Sequence, residues 1–329
     1  MSNPLGTEFL SVPLRNFSVA QMQDSSNFIA RSTLTKIPVA QQSAEYYVIP
    51  QDDWLRSEVK PLGRGSESAG GGWHLSDDNY NAKVYAIHKD NDMQDYANAN
   101  AAQIMNLDQD ATAYVTEQMQ IFEDTMFRET FMPDAGGVWT TELQGTSAVP
   151  TTGQFLQWDD PDSTPVDDIR TQVLLLASQN GGRKPTDFII SPHLMHTLTR
   201  NPQVADLYQF TQGGVVSEQA LAAAIGVPNI KVAWAVANSA KEGLSSDIDF
   251  LFGDNALLGY FAASGGPKTN TAGAMFTWTE MDGGSSIGTR VDRIPAPLIH
   301  SVRIEAMAAF DMKVVNPKAA VLFLDCTSS

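Results

Sequence analysis

Two histidines in this 329-residue sequence have the spacing of a metal-ligand pair. His193 and His196 lie three positions apart on a stretch that predicts a helix, so their side chains would be neighbours on its surface. A zinc site needs three or four protein ligands. The remaining histidines are scattered along the chain, and no cysteine lies nearby. The pair therefore indicates a polar helix surface, and we expect no metal site.

A serine-containing segment, Gly-Ser-Glu-Ser-Ala-Gly at 65–70, superficially resembles a hydrolase nucleophile elbow. That motif requires a glycine two positions before the nucleophile, and Ser66 occupies the position two before Ser68. The segment also lies in a glycine-rich stretch, not in a turn from a strand into a helix. The sequence has no Gly-x-x-x-x-Gly-Lys-[Ser/Thr] phosphate-binding loop either. We expect no catalytic residue and no cofactor, and so no enzyme.

The composition predicts a folded protein and argues against several classes of partner. Hydrophobic residues make up 43% of the chain and charged residues 18%, which is enough apolar material for a sizeable core. The net charge of −17 argues against a surface that grips nucleic acid, because phosphate contacts need clustered Lys and Arg. The single cysteine, Cys326, cannot form an intramolecular disulfide. No apolar run reaches the roughly 18 residues that indicate a membrane span.

Residues 1–45 carry apolar side chains without a helical or a strand period. A segment of this length without regular structure is uncommon inside a compact domain, and its apolar side chains would be costly to leave in water. We therefore expect this N-terminal arm to dock on another copy of the chain.

An extended hairpin is predicted next, with strands at 46–49 and 80–87. The glycines at 63, 65 and 70–72 mark a flexible tip between the two strands. An isolated two-stranded hairpin is only marginally stable in water, so we expect this projection to rest against a neighbouring copy.

A long helix is predicted at 107–132, with Asp108 as its N-cap and Pro133 at its end. Apolar residues recur along it at steps of four, three and four, which we interpret as a buried face. These residues are Val115, Met119, Phe122 and Met126.

Shorter elements of both kinds fill the rest of the chain and indicate an α+β fold. A second long helix has Thr164 as its predicted cap, Pro165 in its first turn and a stop at Gly181-Gly182. Further helices are predicted from Pro192 and at 217–225. Strands are predicted at 188–190, 230–236, 248–252, 257–262, 275–280, 298–309 and 321–324, with a turn at Asn316-Pro317 before the last of them.

This order of parts resembles the major capsid proteins of tailed double-stranded DNA bacteriophages, which have the HK97-like capsid fold. The resemblance extends from about Ala30 to the C-terminus and depends on the order and spacing of several short motifs. They are 158–168 (WDDPDSTPVDD), 181–192 (GGRKPTDFIISP), 221–227 (LAAAIGV), 230–238 (IKVAWAVAN), 250–254 (FLFGD), 257–260 (LLGY) and 276–278 (FTW).

The resemblance implies a division into four parts. Residues 1–45 would form the N-terminal arm and 46–90 the extended loop, or E-loop. Residues 91–149 and 285–329 would form a peripheral domain around a spine helix at about 107–132. Residues 150–284 would form an axial domain at the centre of each ring of subunits.

The resemblance also implies a function. The chain would assemble as pentamers and hexamers into an icosahedral head that encloses DNA without sequence-specific binding, built in the host bacterial cytoplasm and located in the virion. Its partners would be other copies of itself, a scaffold, a portal and a decoration protein, with no membrane. Some members begin with a long charged scaffold segment that is later cut away, whereas here the arm starts almost at once. Either a separate scaffold is used or cleavage has already occurred, and Met1 favours the former. Lys60 is in the loop where some members form a covalent Lys–Asn crosslink, but no partner motif is recognisable.

Two other functions stay open at this point. An encapsulin-like compartment would use the same fold to enclose an enzyme cargo, and a cytoplasmic α+β hydrolase would have a site that the sequence does not reveal. The sequence does not specify the triangulation number, the host, the type of scaffold, the maturation protease or the crosslink.

Overall fold

A long helix and two sheets organise the chain in the computed structural model. The structure describes residues 23–48, 55–98, 101–208, 217–240, 243, 245–266, 269–281 and 289–328, with backbone alone at 101–106. The helices are α1 Ala30–Thr33, α2 Met93–Asn98, α3 Ala101–Phe131, α4 Pro165–Gln179, α5 Pro192–Arg200, α6 Pro202–Tyr208 and α7 Glu218–Ile225. Short 3-10 turns lie at Ser25–Asn27 and Pro297–Ile299.

Strands precede, separate and follow these helices along the chain. They are β1 Thr35–Val39, β2 Ser43–Val48, β3 Ser76–Asn81, β4 Lys83–Asp92, β5 Thr141–Thr146, β6 Gln154–Leu156, β7 Asp187–Ile190, β8 Asn229–Val232, β9 Val236–Asn238, β10 Ile248–Phe250, β11 Ala256–Gly259, β12 Gly273–Trp278, β13 Arg290–Ala296, β14 Ser301–Val314 and β15 Ala320–Leu324. This mixture confirms the predicted α+β class.

A six-stranded sheet with the order β6-β5-β15-β11-β7-β8 lies between two apolar cores. Side chains on successive positions of a strand point to opposite faces. In β15, Leu322 is buried in the core around α3, whereas Val321 and Phe323 are buried in the core around α4, α5 and α7. Burial on both faces explains why the strand reads as an uninterrupted apolar run.

The second sheet is built around the long strand β14. Strands β12 and β13 both pair antiparallel with β14, at 310–314 and 301–307 respectively, and β4 pairs with 301–310. Because residues 301–307 have partners on both β13 and β4, these two strands lie on opposite edges of β14. Strand β1 adds in parallel to β12.

Helix α3 packs its apolar face against β14. Val115 and Met119 are buried there, together with Ile304 and Phe310 of the strand. Trp139 closes the end of the helix, because its indole Nε1 donates to the Phe131 carbonyl over 2.8 Å. The late strands β14 and β15 therefore bury side chains in the same core as the long helix.

The N-terminal end of α3 was predicted wrongly. The helix begins at Ala101, so Asp108 lies inside it and is not its N-cap. The Asp108 carboxylate instead accepts hydrogen bonds from the Tyr96 hydroxyl and, over 3.2 Å, from Arg293 Nε. Asp108 is an N-cap residue type, which placed the predicted start too late, although Ala101, Ile104 and Met105 already have helical spacing.

Helix caps follow the sequence signals in most other places. Ser191 and Ser217 accept from the backbone N–H groups of Leu194 and Ala220, and Gly226 ends α7 with a φ of 84°. Thr164 stands at the N-cap position of α4 but makes no side-chain cap bond. The Gln203 side chain accepts the Val166 N–H over 2.9 Å instead, so a residue from α6 satisfies that helix end.

Several strand boundaries also differ from the prediction. The strand predicted at 80–87 is divided at Ala82 between β3 and β4, and only β3 pairs with the predicted first strand of the hairpin. The strand predicted at 230–236 is two strands, β8 and β9. Strands β1, β5, β6 and β13 were not predicted at all. Strands β1 and β5 pair with β12 and β15, which are distant in sequence, and a local pattern does not reveal such partners. Strands β6 and β13 pair with strands close to them in the chain.

The predicted docking of residues 1–45 on another copy is wrong for part of that range. Phe28, Ile29 and Leu34 are buried within the chain itself, and β1 pairs with β12. Residues 1–22 of the predicted arm lie outside the described residues, and so does Ile49, the last residue of the strand predicted at 46–49. None of the described helices combines the length and the apolar character needed to cross a bilayer.

Candidate functional site

Strands β2 and β3 form a separate two-stranded hairpin, with Ser43 opposite Asn81 and Val48 opposite Ser76. Among the described strands they pair only with each other. This arrangement fits the prediction of a projecting hairpin, and the observed second strand is β3.

Aromatic side chains attach one end of this hairpin, residues 43–46 and 78–81, to the second sheet. We call this end the foot. The Tyr80 ring stacks on the Phe276 ring of β12, with centroids 4.8 Å apart, and Tyr46 contacts the same ring at 5.3 Å. The Asn81 N–H donates to the Asp311 carboxylate of β14 over 2.9 Å. The foot is therefore part of the body of the molecule.

Three polar side chains beside these rings form further contacts at the foot. The Tyr46 hydroxyl donates to Asp78 over 2.7 Å, and Lys313 Nζ lies 3.5 Å from the same carboxylate. Burial and the bond to Asp78 raise the pKa of Tyr46, so the phenol remains a donor at neutral pH. Burial alone would raise the pKa of Asp78, but the bonds from Tyr46 and the Asn79 N–H and the Lys313 charge lower it.

Beyond the foot, every residue from 55 to 77 is exposed. We call residues 55–75 the projecting loop. Its large apolar side chains retain from about half to nearly all of their accessible surface: Leu55 59%, Val59 90%, Leu62 67%, Trp73 55% and Leu75 57%. Covering a side chain of this size stabilises a protein by about 1.5–3 kcal/mol. An exposed apolar set of this extent is typical of an interaction surface.

A second exposed apolar surface lies where β13 turns into β14. Leu298 is 97% exposed and Ile299 is 51% exposed, and Ile294 lies nearby on β13. His300 ends this turn with a φ of 47°, and its carbonyl accepts the Met93 N–H over 2.9 Å. We call residues 294–299 the apolar corner. Sequence analysis missed it, although its Pro-Ala-Pro-Leu-Ile stretch could have indicated an exposed apolar turn.

The structure places His193 and His196 on the exposed side of α5. The His196 ring lies 3.4 Å from the Arg200 guanidinium, which disfavours a metal cation at this ring. Among the described residues, no group of three or more His, Cys, Asp or Glu side chains has a metal-binding arrangement.

Ser66 and Lys60 both lie in the projecting loop and are exposed. Ser66 donates to the Gly63 carbonyl over 2.8 Å in a local turn. This hydrogen bond involves no acidic or basic side chain that could activate the hydroxyl. The Lys60 amine is accessible to a neighbouring molecule.

The apolar stripe of the long helix is mainly core, as we predicted. Val115 is 0% and Met119 3% exposed, and Met126 packs against the same cluster. Phe122 lies at the edge of that core: it contacts Tyr85 with ring centroids 4.7 Å apart but remains 36% exposed.

No family model matches the chain, and no curated protein matches it in sequence. The fold does match solved structures. A phage-related protein from Bordetella bronchiseptica RB50 is similar with a TM-score of 0.68 and 15% identity, over 92% of this chain and 94% of that one. A chain of the bacteriophage PhiM1 mature capsid is similar with a TM-score of 0.59 and 12% identity, over 94% and 89%.

The SrpI encapsulin of Synechococcus elongatus PCC 7942 is also similar, with a TM-score of 0.53 and 11% identity, over 96% of this chain and 95% of that one. The matches extend over nearly the full length of each chain. The chain therefore has the HK97-like capsid fold, as the sequence motifs predicted.

Proposed function

We propose that this chain with the HK97-like capsid fold is the major capsid protein of a tailed bacteriophage. Many copies assemble as pentamers and hexamers into an icosahedral head around double-stranded DNA. The role is structural, and no catalytic step is part of it.

The projecting loop is the observation that carries this proposal. It extends from a rigid aromatic foot and exposes more than half of the surface of several large apolar side chains. A neighbouring copy of the chain would cover them. Each subunit would contribute its own loop to one neighbour and receive the loop of another. Many weak contacts of this kind would together stabilise a closed shell.

The apolar corner supports the same proposal from another part of the molecule. Leu298 lies at the tip of a short turn between two paired strands. Because the turn is already ordered, little conformational entropy is lost when a neighbour covers Leu298. Two separate apolar surfaces on one subunit allow it to contact more than one neighbour, which a closed shell requires.

The charge of the chain fits a container for DNA. A subunit with a net charge of −17 has little affinity for phosphates, so packaged DNA can enter and leave without adhering to the wall. Tight binding of DNA by the purified subunit at physiological salt would contradict this part of the proposal.

We assign the parts of the subunit on the same basis. Residues 1–45 are the N-terminal arm, whose part from Phe28 onward is packed in the body, and 46–90 are the E-loop. Residues 91–149 with 285–329 form the peripheral domain, and 150–284 form the axial domain. Two apolar cores, one around α3 and one around α4, α5 and α7, support a subunit with two packed regions, and residues of 150–284 contribute to both cores. Strand β15 connects these regions, because each of its two faces is buried in a different core.

The proposed partners are other copies of the chain, a scaffold, a portal and a decoration protein. Assembly would take place in the cytoplasm of the bacterial host, and the finished protein would be located in the virion. Expression of the chain with and without its genomic neighbours, followed by negative-stain electron microscopy, tests these assignments. Closed particles support the proposal, and a stable monomer that turns over a substrate contradicts it.

A compartment of the encapsulin type is the second candidate, because an encapsulin is among the similar structures. The contents of purified particles separate the two functions. Particles that contain DNA support the head, whereas particles that contain an enzyme cargo and no DNA support the compartment.

A further inference from the structure

Asn180 and Gly181, directly after helix α4, are the only Asn-Gly pair in the sequence. In such a pair the backbone nitrogen of the glycine can attack the side-chain amide carbon of the asparagine, because glycine has no side chain to hinder the approach. An Asn-Gly pair is therefore the usual position of spontaneous deamidation in an unfolded chain. Its surroundings decide whether the same reaction can occur in the folded chain.

The way in which α4 ends requires a glycine after Asn180. Gly181 and Gly182 have φ angles of 64° and 81°, in the left-handed region that favours glycine. The Gly182 N–H donates to the Ala177 carbonyl over 2.8 Å, as in the Schellman motif at helix ends. The helix end therefore creates the reactive pair, because the residue that its backbone conformation favours is also the residue that leaves Asn180 most open to attack.

A network of three asparagines holds the Asn180 side chain. Asn180 is 1% exposed, and its Oδ1 accepts from the Asn270 Nδ2 over 2.7 Å and from the Asn316 Nδ2 over 3.4 Å. The Asn316 Nδ2 also donates to the Asn270 Oδ1 over 2.8 Å, which closes the network. Asn270 precedes β12 and Asn316 lies between β14 and β15, so two segments distant in sequence restrain one side chain.

This restraint acts through the oxygen of the Asn180 amide. The Asn180 Nδ2 is buried and has no hydrogen-bond partner among the described residues. That nitrogen is the group that leaves as ammonia in deamidation. Cyclisation requires the side chain to turn toward the Gly181 nitrogen, so the bonds to Oδ1 must break first.

We propose that Asn180 is a deamidation site that the folded chain keeps unreactive through Asn270 and Asn316, and that it reacts when this part of the subunit opens. The Gly181 nitrogen forms a bond to the Asn180 Cγ, the Cγ–Nδ2 bond breaks, and ammonia leaves with the proton of the Gly181 N–H. Water then opens the cyclic imide to an aspartyl or an isoaspartyl residue. In the net reaction water is consumed, ammonia is released, and the amide becomes a carboxylic acid.

The product does not fit the folded site. A carboxylate at a position that is 1% exposed loses its hydration, which is unfavourable, and an isoaspartyl residue lengthens the backbone at the turn. A subunit that has opened and reacted here is therefore permanently marked and returns to the native packing less readily. The inference concerns the single subunit and does not depend on the proposed capsid function.

Peptide mass spectrometry of the incubated subunit, with chromatographic separation of the isoaspartyl form, measures the reaction. We expect deamidation at Asn180 to be at least about tenfold slower in the folded wild type than in the same chain unfolded in urea. Equal rates would overturn the proposal, because the fold would then give no protection.

Asn270→Ala and Asn316→Ala test the network, because each removes one donor to the Asn180 Oδ1. Both variants, when folded, should deamidate at Asn180 about two- to tenfold faster than the folded wild type, the factor that corresponds to one lost hydrogen bond. In urea all of these proteins should react at the same rate. Asn79→Ala, the same change at an exposed position, is the matched control and should keep the wild-type rate.

Circular dichroism shows whether each variant is folded. If one of the two network variants does not fold, the other decides whether the network protects Asn180. If neither folds, the comparison of folded and unfolded wild type still decides whether the fold protects it. Folded network variants that deamidate no faster than the wild type would overturn the proposal.

Discussion

The ring of Tyr80 stacks on the ring of Phe276, with centroids 4.8 Å apart and planes within 6° of parallel. This contact joins the end of the projecting hairpin to a strand near the other end of the sequence. Both side chains are more than nine-tenths buried. The hairpin therefore has a fixed foot and an exposed loop, which is the arrangement a subunit needs to reach a neighbour in a defined direction.

Removal of the Tyr80 ring should weaken the foot of the hairpin. We expect Tyr80→Ala to lower the free energy of unfolding by about 3–5 kcal/mol, as is usual for a buried aromatic side chain. Tyr80→Phe keeps the ring and loses only the bond to the Gln41 carbonyl, so it should cost about 1 kcal/mol. Urea unfolding of both variants gives the comparison; equal losses would show that the stack contributes little.

A charge in the apolar part of the projecting loop should prevent assembly without affecting the fold. Val59→Asp alters a side chain that is 90% exposed, so the stability of the subunit should change by no more than about 0.5 kcal/mol. In a shell the same carboxylate would be buried against a neighbour without a partner, and particle yield should fall at least about tenfold.

Ser68→Asp is the matched control, because it adds the same charge at an exposed polar position of the same loop. Sedimentation of both variants measures the yield of particles. Normal yield from Val59→Asp would contradict the proposed contact.

The Asp124 carboxyl should make the fold more stable as the pH falls. Burial raises its pKa from 3.8 to about 6, although the bonds from the Ala30 and Ile29 N–H groups oppose that shift. Between these two values the folded chain binds more protons than the unfolded chain, so this group favours folding as pH decreases from about 7 to 4. The difference is on the order of 2–3 kcal/mol.

Asp124→Asn removes this titration. The comparison requires that the charged neighbours Glu123, Arg31 and Lys36 have the same protonation state in both proteins. We expect the stability of the wild type relative to Asp124→Asn to increase on acidification from pH 7.5 to 5. Chemical denaturation at several pH values measures it. A difference that is constant with pH would contradict the burial argument.

The Glu142 carboxylate should have the opposite dependence on pH. It accepts three successive backbone N–H groups, from Gly137, Val138 and Trp139, over 2.7, 2.8 and 2.8 Å. Burial opposes ionisation, but these three bonds lower the pKa of Glu142 below 4.5. The stabilisation is therefore complete above the unfolded pKa and is lost as pH falls through the folded pKa.

We expect Glu142→Gln to lower the free energy of unfolding at pH 7 by about 1.5–3 kcal/mol, the usual value for hydrogen bonds to a charged group. The difference from the wild type should become smaller below about pH 4.5. Glu129→Gln, at an exposed position, is the control. Equal stability of Glu142→Gln and the wild type at pH 7 would show that the three bonds do not stabilise this loop.

The sequence predicted elements whose signals are local. The stripe that includes Val115 and Met119 indicated the long helix, and Gly181-Gly182 indicated the end of α4, because period and backbone conformation are set by near neighbours. The short motifs in their order predicted the fold that the structural comparisons confirm.

The features that the sequence did not predict depend on distant partners. Thr35 pairs with Ala274, and Asp124 accepts the N–H groups of Ile29 and Ala30. These contacts place the residues from Phe28 onward in the body of their own chain, whereas the sequence predicted an arm docked on another copy. No local pattern indicates them, because polar groups on widely separated segments meet only after the chain has folded. The apolar corner was missed for a different reason: Leu298 and Ile299 were predicted as the start of a strand, whereas they lie in a 3-10 turn that the two nearby prolines could have indicated.

Cryo-electron microscopy of particles from the expressed chain tests the central claim most directly. The account predicts closed shells of pentamers and hexamers in which Val59, Leu62 and Trp73 of each subunit are covered by a neighbour. A uniform population of monomers, or shells in which residues 55–75 contact no other copy, would contradict it.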